Sequence, residues 1–205
     1  MDLLKQKILS EGRVIGTEIL KVDSFLNHQV DPFLLRAIGA EFASIFADYG
    51  ITKVITIESS GIAPAVFTGL ALGVPVIFAK KTASRNLEAD TYHADVHSFT
   101  RGVMYTVRVS KSYLKEDDTV LLIDDFLAHG RSLIGLLEIA AQAGAHVAGA
   151  GIVIEKGFQK GGSMIRKMGI RVESLAIIKE MSEEGSMIAF EDRTKEHIHM
   201  EEEEK

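Results

Sequence analysis

The 205-residue sequence contains no cysteine, so neither disulfides nor thiolate metal sites can hold it together, and a cytoplasmic setting is the expectation. An export signal is missing too. The stretch from Met1 to Arg13 opens with an acid and carries charges at helical intervals, unlike the basic start and continuous apolar core of a signal peptide. No segment stays apolar for the roughly 18 residues that a membrane helix requires; the longest apolar stretches are short and broken by glycine. Positive charge is in the minority, and the net charge of −6 argues against general nucleic-acid binding, which needs a basic face, while leaving room for a local basic pocket. Neither an internal repeat nor a Pro- or Ser-rich linker divides the chain.

What is present reads as one globular domain. Hydrophobic residues make up 46% and charged residues 25%, far from the composition of disordered chains, and the length leaves little room for a second folded domain. Asp31 followed by Pro32 predicts a helix N-cap with Pro in the first turn, and Leu34, Leu35, Ile38, Phe42, Ile45 and Phe46 then recur at helical spacing up to Gly50. Val54–Ile57 predicts a short strand, Ala63–Leu72 a helix stopped by Gly73, and Val74–Ala79 a second strand. The rhythm returns with a strand at Thr119–Ile123, a loop over 124–130, a helix at Leu133–Ala143 and a strand at Val147–Ile154. Two such units imply an α/β fold with a mostly parallel sheet and helices on both faces. Between them, Thr82–Gly102 is long and polar, as mobile functional loops are, with flanks at Tyr92–Val96 and Met104–Val109 that alternate weakly like a β-ribbon. The tail, residues 191–205, is acidic and expected to be solvated.

Chemistry concentrates at the predicted strand ends. Asp124 and Asp125 close a buried apolar run, where two carboxylates are costly unless they meet cations, polar groups or a ligand at the carboxyl edge of the sheet. The turn Ala128, His129, Gly130, Arg131 and Ser132 leads into a helix, so its backbone N–H groups can converge on a phosphate. No Gly-Lys-Ser/Thr follows, so the turn is not that of a P-loop NTPase. Glu58, Ser59, Ser60 and Gly61 occupy the equivalent strand end of the first unit, with hydroxyls and free donors suited to a diphosphate, though Ser-Ser-Gly is also an ordinary turn. Lys80 and Lys81 end the next strand, where a Lys pair can equally be a solvated terminus. Lys156 and Phe158 follow another buried strand, offering a cation to a carbonyl and a ring face to a base; the alternative is that Lys156 pairs with an acid and Phe158 is core.

The strand, Asp-Asp and short-loop arrangement of residues 120–132 resembles the PRPP-binding signature of the type I phosphoribosyltransferases. The resemblance implies that Asp124 and Asp125 bind ribose, that residues 128–132 wrap the 5-phosphate, and that Ser59, Ser60 and Gly61 receive the pyrophosphate beside Lys81. The loop departs from the commonest family pattern at His129 and Arg131, where a Thr and a Gly usually stand. Residues from Gly12 to Pro32 look like the N-terminal hood of the xanthine phosphoribosyltransferases within that family, and the likeness runs from about Leu4 to Phe190. It implies one domain over 1–190, with hood elements at about 12–32 and 155–190, and a base pocket lined by Leu20 and Asn27 and reached by Lys156 and Phe158. It implies further a transfer of phosphoribose to xanthine, Mg2+ accompanying PRPP with no dedicated protein ligand, a homodimer, and a lid formed by Thr82–Gly102. His197 and His199 read as an incidental pair in the tail. Guanine, hypoxanthine or adenine are alternative bases. A PRPP-sensing purine regulator is the alternative of another class, disfavoured because too few residues precede the module for a winged helix.

Overall fold

A computed structural model describes residues 1–81, 90–98, 103–182 and 188–191. In chain order these form α1 (Asp2–Glu11), β1 (Arg13–Ile15), β2 (Ile19–Lys21), a π-helical turn (Asp23–Asn27), α2 (Pro32–Ile45), β3 (Lys53–Ile57), α3 (Ile62–Leu72) and β4 (Val76–Ala79). There follow β5 (Thr91–Ser98), β6 (Val103–Ser110), β7 (Thr119–Leu127), α4 (Arg131–Ala143), β8 (His146–Lys156), α5 (Gly161–Lys167), β9 (Val172–Met181) and β10 (Ile188–Phe190).

Six of the strands make the central sheet in the order β10-β9-β8-β7-β3-β4, parallel except for β10. The apolar runs of β3, β7 and β8 are buried on both faces, as strands under two helical layers must be. One face carries α2 and α3 with α1 and the N-terminal hairpin of β1 and β2, burying Leu20, Val22, Phe25, Leu26 and Phe42. The other carries α4 and the antiparallel ribbon of β5 and β6, burying Val96, Val107, Leu133 and Leu136. Asp31 caps α2 as its sequence predicts, accepting from the N–H groups of Phe33 at 3.0 Å and Leu34 at 3.1 Å.

The order of the strands places the site. From β3 the chain crosses over α3 to β4 on one side; from β7 it crosses over α4 to β8 on the other. The direction of winding therefore reverses between β3 and β7, and a crevice opens at their carboxyl ends. In addition, the pairing of β7 with β3 stops at Leu122, while its pairing with β8 runs on to Leu127. Asp124 to Leu127 thus stand at an edge that β3 leaves uncovered.

Three segments differ from their expected form. β7 continues through Asp124 and Asp125 to Leu127, where the sequence predicts loop, because β8 offers backbone partners that far along. α4 begins at Arg131, two residues early, because Gly130 takes a left-handed conformation (φ 76°) that turns strand into helix. Residues 172–181, grouped by the sequence with the hood, run as a strand of the main sheet beside β8. The ribbon forms at 91–98 and 103–110, but much of the predicted lid, residues 82–89 and 99–102, lies outside the described residues. So does the tail from 192 onward, with His197 and His199. No helix among the described residues is long and apolar enough to cross a membrane.

Candidate active site

A cavity of about 540 Å³ lies at this crevice. Asp124 lines it, as do Ala128, His129, Gly130, Arg131 and Ser132 from the turn into α4 and Lys156 from the end of β8. Thus seven residues singled out in the sequence, on two strands and a helix start, face one space. Asp125 is buried beside Asp124 but does not line the cavity; its backbone N–H donates to Asp124 Oδ1 at 3.0 Å.

The phosphate-type turn is shaped by glycines. Gly130 is the N-cap of α4 and no side chain caps that helix, so the first-turn N–H groups face the cavity end without a side-chain acceptor. Gly161, at the start of α5, lies against the back of the turn, and its N–H donates to Ala128 O at 3.1 Å. A Cβ there would stand 2.3 Å from that oxygen and 2.7 Å from Gly130 N. α5 is fixed in turn by Glu155, a buried carboxylate that takes both arms of Arg166 at 2.8 Å and the hydroxyl of Ser174. Gly162 passes so close to Glu155 that a Cβ would collide with its Oε1.

Residues 58–61 reach the site from β3 without lining the cavity. The Glu58–Ser59 peptide is cis. Glu58 joins this turn to the end of β4, accepting from Lys81 N–H at 2.6 Å. Gly61 lies beneath Asp124: a Cβ would be 2.1 Å from the buried Thr56 hydroxyl and 3.1 Å from Asp124 Oδ1, so only glycine lets the two strand ends approach. Burial and, behind it, the neighbouring charge of Asp125 push the Asp124 carboxyl well above the usual carboxylate range, and the charge of Lys81 opposes them.

At the opposite end the hairpin of β1 and β2 closes over β8. Lys156 Nζ donates to the backbone oxygen of Glu18 at 2.5 Å and stands 5.9 Å from the centre of the Phe126 ring. Burial lowers the pKa of this ammonium, and the Glu18 carboxylate raises it in part. The hairpin presents Glu18 and Ile19 to the cavity rather than Leu20, because alternation along β2 turns Leu20 into the core. Asn27 is exposed at the end of the π-helical turn, and Phe158 is 39% exposed; neither lines the cavity.

Several wall residues carry no sequence signal of their own. Phe126 is masked by its strand; Gln159 follows Lys156 by one turn, its backbone N–H donating to Lys156 O at 2.9 Å. The side-chain oxygen of Gln159 is buried without a hydrogen-bond partner among the described residues. Tyr105 enters from β6; burial holds its phenol above the usual pKa, the Ser132 hydroxyl offsets this in part, and the Asp124 charge adds to it. A strand pairing with β5 puts it there, which no local pattern announces.

Residues 29–185 match the model of the phosphoribosyl transferase domain. The chain is 59% identical over 183 residues to a xanthine phosphoribosyltransferase of Oceanobacillus iheyensis, covering 89% of this chain and 94% of that one. To a xanthine phosphoribosyltransferase of Ruminiclostridium cellulolyticum it is 57% identical, covering 88% and 95%. Among solved structures it is similar in fold to a Giardia lamblia adenine phosphoribosyltransferase complexed with 9-deazaadenine, with a TM-score of 0.70 at 22% identity over 85% of this chain and 96% of that one.

Proposed function

The chain belongs to the phosphoribosyl transferase family, and from that premise we propose that it is a purine salvage enzyme that transfers the 5-phosphoribosyl group of PRPP to xanthine. The products are xanthosine 5'-monophosphate and pyrophosphate. The single observation that carries the reading is the convergence of Asp124, the 128–132 turn and Lys156 on one cavity at the reversal point of the sheet. An acid for a sugar diol, a helix start for a phosphate and a cation for an oxo-purine border one space. The family, and relatives above 50% identity that carry the name, support the choice of base.

In this reading Asp124 and Asp125 hold the ribose hydroxyls and residues 128–132 hold the 5-phosphate. Ser59, Ser60 and Gly61 receive the diphosphate with Lys81 beside it. Lys156 meets a base carbonyl at the hood end, where Glu18 and Ile19 rather than Leu20 border the cavity. A ring nitrogen of xanthine bonds to the anomeric carbon and releases its proton to solvent as the bond from that carbon to the diphosphate breaks. The residues need supply no covalent nucleophile. They align the partners and stabilise the charge that gathers on the departing diphosphate, with donors fixed before the reaction begins.

Mg2+ belongs to this scheme as part of the PRPP substrate, where it would offset the charge of the diphosphate. Among the described residues no three His, Asp or Glu side chains are grouped to cage a metal; in general Mg2+ keeps several waters and takes few protein ligands. We read the enzyme as a cytoplasmic homodimer, as the resemblance implies.

The test is to offer xanthine, guanine, hypoxanthine and adenine separately with PRPP and Mg2+ and to identify the nucleotide formed. Xanthosine monophosphate should dominate; nucleotide from another base with none from xanthine would overturn the assignment. The Asp124→Asn/Asp125→Asn variant, folded by circular dichroism, should lose PRPP turnover.

A further inference from the structure

Tyr105 lies on β6, outside both strand-end turns, yet it borders the groups on which the proposed reaction depends. It pairs with Val96 across the ribbon and presents its side chain to the cavity together with Asp124 and Ser132. Lys81 Nζ stands over its ring, 5.0 Å from the centroid. Ser132 lines the same cavity, and its hydroxyl offsets in part the rise that burial causes in the phenol's pKa. One side chain thereby joins the lysine at the end of β4 to the first turn of α4.

A lysine at an exposed strand end samples many rotamers, and its charge is spread through solvent. Lys81 is exposed, but its backbone is fixed by Glu58 and its ammonium is drawn to the negative face of an aromatic ring that is itself half-buried. The ring belongs to a two-stranded ribbon packed on α4, so its position is set by the fold and not by the lysine. The phenolic hydroxyl, at the far end of the same ring, belongs to a side chain that lines the cavity together with Ser132.

We propose that Tyr105 is a positioning residue for PRPP: its ring holds the Lys81 ammonium toward the departing diphosphate, and its hydroxyl orients Ser132 toward the 5-phosphate. The inference rests on the reading of Lys81 and Ser132 given above. It separates the two functions of one side chain, because Tyr105→Phe keeps the ring and loses the hydroxyl, whereas Tyr105→Leu loses both.

Steady-state kinetics of the whole chain, with PRPP varied at saturating xanthine and Mg2+, test it. Tyr105→Phe should raise the KM for PRPP by about 3- to 10-fold, as expected for one hydrogen bond. Tyr105→Leu should in addition lower kcat by about 3- to 30-fold, the range of a partly desolvated cation–π contact, with the KM for xanthine unmoved. The decisive comparison is Lys81→Ala against Lys81→Ala/Tyr105→Leu. If the ring acts on kcat through Lys81, removing it from the Lys81→Ala enzyme costs little more. Should the two losses multiply in full while Lys81→Ala alone is slow, Tyr105 is not orienting Lys81, and the inference falls while the reading of the site stands. Should Lys81→Ala turn over like the parent, the role given to Lys81 falls and takes the inference with it. A Tyr105→Phe enzyme with the parent's KM for PRPP would overturn the hydroxyl half, whether or not the leucine variant folds.

Discussion

Replacing Gly161 by alanine isolates the contact between α5 and the phosphate-type turn. The added methyl would sit 2.3 Å from Ala128 O and 2.7 Å from Gly130 N, whereas ordinary contact with an oxygen lies about 1 Å farther out. Both neighbours are backbone atoms, so no side chain can swing aside. Nor can α5 retreat freely, since Arg166 is anchored to the buried Glu155 by two 2.8 Å hydrogen bonds. The turn must therefore shift, stretching the Gly161–Ala128 hydrogen bond and moving the N–H groups at the start of α4 by about 1 Å. A displacement of that size costs up to about 100-fold in an aligned reaction, and overpacking costs about 1–3 kcal/mol of stability. At about 2–4 °C per kcal/mol for a chain of this length, Tm should fall by roughly 2–12 °C. Differential scanning fluorimetry, together with kinetics in which PRPP and xanthine are varied in turn, reads both effects. The KM for PRPP should rise and kcat fall, with the KM for xanthine nearly unchanged. A Gly161→Ala enzyme with the parent's Tm and the parent's PRPP kinetics would refute the reasoning.

Other outcomes follow from the same geometry. Gln159→Met removes a buried amide whose oxygen has no partner among the described residues; if the base supplies the missing donor, the KM for xanthine rises about 10-fold while that for PRPP stays put. Asp124 has a folded-state pKa above its unfolded one, so it favours folding only while protonated and opposes it increasingly as pH climbs from about 4 toward the folded value. Asp124→Asn should therefore raise Tm at pH 7, lose that advantage near pH 4, and lose turnover, all visible in one set of melts and assays. Burial depresses the Lys156 pKa, so its charge fails at lower pH than that of a surface lysine. In Lys156→Arg the alkaline fall of kcat/KM for xanthine should move upward, and an unmoved limb would show that the lysine charge does not govern it.

Sequence pattern made the scaffold legible wherever a residue's neighbours in the chain are also its neighbours in space. Asp31 and Pro32 announce α2 because capping is local, and the apolar runs of β3, β7 and β8 announce strands because both faces are covered. β7 was harder to bound: carboxylates at 124 and 125 do not look like strand interior, and only the backbone of β8 holds them extended. β9 escaped for the same reason, since its partner is a strand of the sheet and not a feature of its own sequence. The turn at 128–132 is contiguous and stands out in the sequence; the hood end of the cavity is assembled from Glu18, Phe126, Lys156 and Gln159, which only the fold brings together. Leu20 and Ile19 show how narrow the margin is, one residue along a strand exchanging core for cavity.

The link between hood and sheet has a consequence for redesign. Lys156 grips the carbonyl of residue 18, a group that every amino acid carries. The side chains of Glu18 and Ile19, which border the cavity, can therefore be exchanged while the bond that ties the hairpin to β8 is left as it was.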